Sequence, residues 1–181
     1  EVPYRFSPET LAQTGKLPDR VRPVDMKQRV DLTDVPLVTI DGEDARDFDD
    51  AVYCEPATVG RRKGWRLVVA IADVSHYVKP GMVIDRESME RGNSVYFPDR
   101  VIPMLPGKIS NDLCSLKEGV DRPALAVRMV FDAEGRKQRH SFHRIMMRSA
   151  AKLSYVEAQT AWPPQENRRH ACLRCAVDRH F

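Results

Sequence analysis

Leu37-Val38-Thr39-Ile40-Asp41-Gly42-Glu43-Asp44-Ala45-Arg46-Asp47-Phe48-Asp49-Asp50 decides how this chain is read. Residues 37–40 are β-prone and run straight into the window 41–50, which holds six acids and one base. That window carries −5 in a chain of 181 residues whose net charge is +3, so the remainder is basic by +8. Gly42 lets the backbone turn sharply after the strand. Phe48 is the large apolar side chain able to anchor such a loop to a core. Residues 49–55 resume the β pattern. The acidic knot is therefore expected to hang between two strands.

Working outward, Gly60-Arg61-Arg62-Lys63-Gly64 reads as a glycine-bounded turn. Residues 65–72 form an apolar run that reads as a buried strand. Further on, Asp85 is expected to cap a helix over 86–91, with Gly92 as its stop. Residues 93–109 are Pro-rich and extended, and Ser110 is expected to cap a short helix through Leu116. Strands over 125–131 and 139–147 flank the turn Asp132-Ala133-Glu134-Gly135. Ser154 and Glu157 make a capping box, so a helix begins at Tyr155 and stops at Trp162 before Pro163 and Pro164. Upstream, Ser7 caps a short helix with Pro8 in its first turn, and residues 15–30 read as mostly coil.

Composition excludes several classes. With 42% hydrophobic and 30% charged residues the chain is globular, not disordered. No apolar run approaches the roughly 18 residues of a membrane span. The first six residues lack the apolar core of a signal peptide. Four cysteines are too sparse for a disulfide scaffold, and Cys54 and Cys114 read as reduced core residues, so a cytoplasmic setting is expected.

Carboxylates this closely spaced repel one another, and keeping several ionised in a partly buried place needs a cation. Oxygen ligands without His or Cys suit magnesium or manganese rather than zinc. A calcium hand starting at Asp41 would need Gly at position 46 and Glu at position 52, where Arg46 and Val52 stand. The plain alternative is a solvated acidic loop. Carboxylate-held magnesium commonly serves phosphoryl chemistry, and the basic remainder of the chain suits a polyanionic substrate.

The stretch from Asp31-Leu32-Thr33-Asp34 through Asp50-Ala51-Val52-Tyr53 resembles the catalytic domain of the ribonuclease II/ribonuclease R family, nearer to its ribonuclease R branch. So do Val69-Ala70-Ile71-Ala72-Asp73-Val74-Ser75-His76-Tyr77-Val78 and Arg91-Gly92-Asn93-Ser94-Val95-Tyr96-Phe97-Pro98. Val101-Ile102-Pro103-Met104-Leu105-Pro106 and Leu113-Cys114-Ser115-Leu116 follow in the family's order. The resemblance implies an α+β fold, with a mixed, mainly antiparallel sheet and flanking helices. It implies a magnesium-dependent hydrolase that degrades single-stranded RNA from the 3′ end to nucleoside 5′-monophosphates. The family's catalytic, metal-facing aspartates fall on Asp41, Asp47, Asp49 and Asp50. Its base-stacking tyrosine falls on Tyr96, for which a packed strand aromatic is the alternative. Glu43 and Asp44 lie outside the essential set, and Arg46 is a candidate to balance charge.

By the same resemblance, residues 1–30 are a leading linker and residues 31–161 the N-terminal part of the catalytic domain. Residues 162–181 are expected to be a divergent, disordered tail. The family's second half supplies an essential arginine and channel walls, so a truncated, weak or inactive fragment is expected. The alternatives are a non-catalytic RNA- or metal-binding module, a subunit completed by the missing half, or a partner of other RNA-decay proteins. Elsewhere, Asp73 reads as a turn-capping residue, and His76 and His143 as packed or surface histidines. Arg61-Arg62-Lys63 reads as a solvated turn tip. Cys172 and Cys175, with His170 and His180, are too tightly spaced for a structural zinc.

Overall fold

The computed structural model describes residues 4–161. Its elements in chain order are α1 (Pro8–Gly15), a 3-10 turn (Pro23–Met26), β1 (Val30–Asp41), β2 (Asp50–Val59) and β3 (Arg62–Ala72). There follow α2 (Val74–Tyr77), α3 (Val83–Arg91), β4 (Val95–Tyr96), β5 (Val101–Ile102) and a π-helical turn (Ile109–Leu113). The last are β6 (Asp121–Asp132), β7 (Lys137–Ser154) and α4 (Tyr155–Ala161). No helix among the described residues is long and apolar enough to cross a membrane.

The fold is α+β with a mixed, mainly antiparallel sheet, and that sheet closes into a barrel in the order β1-β2-β3-β6-β7. Closure was not expected from the sequence. It comes from a parallel ladder between β1 and β7, with Val38 opposite Ala151 and Asp41 opposite Ser154. The seam between β1 and β2 is narrow, with Val38 opposite Val52.

Alternation explains the interior. Val68, Ala70 and Ala72 of β3 and Ala124 and Ala126 of β6 face inward with Ile145 and Met147 of β7. Ala70 lies across from Ala126, and Ala72 from Ala124. Small residues at facing positions suit the narrow bore of a five-stranded barrel, where two large side chains would collide. Cys114 is a free thiol in this core, and burial pushes its pKa up to about 12. Cys54, on β2, is half-buried.

Several elements differ from the sequence reading. The turn after β2 is only Gly60 and Arg61, with Gly60 at φ +63°. Gly64 lies inside β3, where a Cβ would run into the Phe131 carbonyl and Val59 Cγ2. It is there for close packing, not for turning. α3 begins at Val83 with Met82 before it, and the Asp85 carboxylate instead accepts the Gly81 N–H at 2.8 Å. The helix expected after Ser110 is the π-helical turn, whose Cys114 N–H reaches back to the Ile109 carbonyl.

Asp73 stands at the N-cap position of α2, but its side chain makes no capping bond there and is used elsewhere. It is 1% exposed and pairs with Arg29 at 2.6 Å and Arg144 at 3.2 Å, while the Ser75 hydroxyl donates to it at 2.6 Å. Burial alone would raise its pKa, but the hydrogen bonds and the two guanidiniums outweigh that and lower it. Arg29 also donates to the Asp25 carbonyl, so the segment before β1 is locked onto the barrel. His76 sits in the same cluster, 3.1 Å from Asp25. The Ser7 cap is present: its hydroxyl accepts from Thr10 N–H and donates to Glu87 of α3 at 2.8 Å. The tail over 162–181, the Trp162 stop and the Cys172/Cys175 pair lie outside the described residues.

Candidate active site

One end of the barrel gathers the end of β1 at Asp41, the start of β2 at Asp50 and the end of β7 at Ser154. The loop over 42–49 crosses this end. It is held by buried contacts rather than by its own charges. Phe48 is 6% exposed and belongs to the main core. Its N–H donates to the Ser115 hydroxyl at 3.2 Å, and its carbonyl accepts from Leu116 N–H at 2.8 Å. The Ser115 hydroxyl donates to the Arg46 carbonyl at 2.8 Å. The Asp49 carbonyl accepts from Ala72 N–H at 2.8 Å. Lys152 donates to the Glu43 carbonyl at 3.3 Å, with its ammonium 4.8 Å from the Phe48 ring centroid. The loop is thus positioned, which a merely solvated acidic loop would not be.

The four sequence-predicted aspartates lie together at this end. Asp49 is partly open to solvent, yet its carboxyl pKa is raised, first by desolvation and then by Asp47, Asp50 and Asp41. Asp49 therefore lies within reach of the charge of the other three carboxylates. They do not converge as they stand: among the described residues, no three His, Cys, Asp or Glu side chains are drawn together tightly enough to hold a metal ion. The donor set is oxygen-only, which suits a hard divalent cation. Arg46 is exposed and makes no ion pair among the described residues, so it does not neutralise the group by direct pairing. Glu43 and Asp44 are exposed on the outside of the loop.

Tyr96 is not a core aromatic. It sits on the short β4–β5 ribbon, 66% exposed, and its hydroxyl donates to Asp47 at 3.3 Å. Burial of its hydroxyl end and the Asp47 charge raise its pKa. Its ring is thus free for a partner beside the carboxylates. The sequence reading missed two residues here. Tyr155, the first residue of α4, brings its hydroxyl to 3.5 Å from Asp41. Its signal was present in the capping box, which places it directly after β7. The structure bears out that box: Ser154 Oγ accepts from Glu157 N–H, and Glu157 accepts from Ser154 N–H. Ser115 was quoted only as part of a motif, and its pinning of the loop has no local sequence signal.

The sequence matches the RNB domain family over residues 29–173. It is 51% identical over 157 residues to ribonuclease R of Escherichia coli (strain K12), covering 87% of this chain and 19% of that protein. The fold resembles Mycoplasma genitalium RNase R solved with double-stranded RNA, at TM-score 0.81 and 31% identity, over 88% of this chain and 28% of that one. It also resembles the same enzyme with ribose-methylated single-stranded RNA, at TM-score 0.83 and 28% identity, over 97% and 28%. The chain spans about a fifth of the length of the curated relative it matches. Over most of its own length, then, this chain belongs to the RNB domain family.

Proposed function

We propose that these residues carry the carboxylate part of the active site of a magnesium-dependent exoribonuclease, which hydrolyses single-stranded RNA from the 3′ end to nucleoside 5′-monophosphates. The observation that supports this most is that Asp41, Asp47 and Asp50 all act on Asp49, at and beside a loop pinned by Phe48 and Ser115, with the exposed Tyr96 ring alongside. Those four aspartates would hold the ion, magnesium or manganese. When bound, such an ion lowers the pKa of a water and stabilises charge on the leaving oxygen. The chain's own residues do the positioning. Phe48 and Ser115 fix the loop, Tyr96 offers a face on which a base can stack, and Tyr155 offers a hydroxyl beside Asp41. Residues 31–161 would be the N-terminal part of the catalytic domain and residues 1–30 its lead-in, in a cytoplasmic protein. Groups outside the chain would complete the charge stabilisation, so the chain alone should be slower by about 10²–10³.

Grafting residues 29–161 in place of the matching stretch of the Escherichia coli relative tests this. The chimera should release mononucleotides from the 3′ end of labelled single-stranded RNA with magnesium, and Asp50→Asn should abolish release. A folded chimera without turnover, or turnover indifferent to Asp50, would contradict it. The exposed Tyr96 ring favours a second reading, a non-catalytic RNA-binding module. Retention of RNA without turnover in the same chimera would select it.

A further inference from the structure

The barrel end away from the aspartates opens into a cavity of about 690 Å³ with an unusual charge arrangement. We propose that this mouth is a second, non-catalytic site for a phosphate group, held by Arg128 and Arg139. The inference stands apart from the nuclease reading, because it uses none of the same residues.

The register puts the arginines there. One rung across the sheet reads Glu55, Arg66, Val130 and Arg139 on β2, β3, β6 and β7. Two residues along each strand, the next rung reads Tyr53, Val68, Arg128 and Ser141. Strand alternation gives both rungs the parity of Ala70 and Ala126, which face the core. Three guanidiniums thus point into the concave side of the barrel, just past its apolar filling. β1 leaves room for them: its pairing with β7 shifts register between Leu32 and Leu37, and it meets β2 only further along, at Val38.

Charge balance then singles out two of the three. Arg66 is paired with Glu55, which also accepts from the Tyr53 hydroxyl at 3.0 Å. Arg128 and Arg139 have no carboxylate within ion-pair distance among the described residues; the exposed Asp34, also on the cavity wall, pairs with neither. Arg128 is half-buried and Arg139 exposed, both on the cavity wall. Two guanidiniums without an ion pair, two residues apart in register on adjacent strands, share one concave wall. That geometry suits a tetrahedral oxyanion, and the Ser141 hydroxyl on the same wall can add a donor. The phosphate could come from a free nucleoside monophosphate or from the backbone of an RNA strand.

The full chain, in EDTA so that the aspartates contribute no metal-bridged binding, should show saturable perturbation of arginine Nε–Hε NMR signals by inorganic phosphate. Arg128→Gln with Arg139→Gln should weaken that binding about tenfold or more, as expected for lost charge-assisted hydrogen bonds. A nucleoside 5′-monophosphate and a short single-stranded RNA serve as parallel arms. If both small phosphates are weakened by the double variant, the source is a free phosphate. If only the RNA is, the source is a strand. Unperturbed arginine signals in wild type across all three probes would overturn the proposal, whether or not the variant folds. So would binding equal in wild type and variant.

Discussion

Replacing Ser115 by alanine should loosen the aspartate loop without touching an aspartate. Ser115 is fully buried, and its hydroxyl joins two backbone groups of the loop: it accepts from Phe48 N–H at 3.2 Å and donates to the Arg46 carbonyl at 2.8 Å. Alanine removes both bonds while nearly preserving shape. Arg46 is exposed, so its carbonyl regains water at little cost. Phe48 is buried, so its amide does not, and an orphaned buried donor costs about 1–3 kcal/mol. Urea unfolding should therefore lose about 2 kcal/mol, a midpoint shift of about 1 M at unchanged slope. The same variant should bind manganese less tightly, because the aspartates lose their fixed base. A midpoint within about 0.2 M of wild type would refute the pinning argument. So would a normal shift in midpoint with unaltered manganese affinity.

Other perturbations have equally definite outcomes. Glu87 accepts from Ser7 and Arg91; burial would raise its pKa, but hydrogen bonding prevails and holds it down to about 2 against an ordinary 4.5. Its stabilisation is therefore complete above pH 4.5 and is lost as pH falls through about 2, so Glu87→Gln should flatten the acid limb of stability measured by urea midpoints across that range. Gly64→Ala should lower stability by about 1–3 kcal/mol in thermal unfolding, since its Cβ would meet the Phe131 carbonyl. Arg29→Met leaves the buried Asp73 with Arg144 as its remaining guanidinium partner and should cost about 3 kcal/mol in the same assay. Tyr96→Ala should leave the thermal midpoint unchanged, because the ring is 66% exposed, while weakening single-stranded RNA binding by about 1–3 kcal/mol.

Much of the local architecture was legible in the sequence because it is locally encoded. The apolar run over 65–72 lies within β3 and the turn over 132–135 joins β6 to β7, where Asp132 accepts from Glu134 and Arg136 N–H groups. Phe48 was readable as an anchor because it is the one large apolar residue among the acids of 41–50. The barrel was not legible. Its closing ladder joins Val38 to Ala151, more than a hundred residues apart, and nothing in the local pattern of either strand names the other. Only residues 37–40 of the twelve in β1 read as strand, because the register shift between Leu32 and Leu37 breaks alternation at the start. Asp73 misled for the same reason: its partner Arg29 lies in a segment read as coil, and only the fold brings them together. At the candidate site, the acids and Tyr96 stood out by type and spacing, whereas Ser115 and Tyr155 act through contacts made by distant elements.

Manganese binding followed by electron paramagnetic resonance, on the full chain and its Asp50→Asn variant, puts the account to its most direct test. Manganese should bind saturably to the wild-type chain and be lost or much weakened in the variant, with circular dichroism unchanged. Equal binding by both, or none by a folded wild-type chain, would mean that the four aspartates do not cooperate in holding a cation.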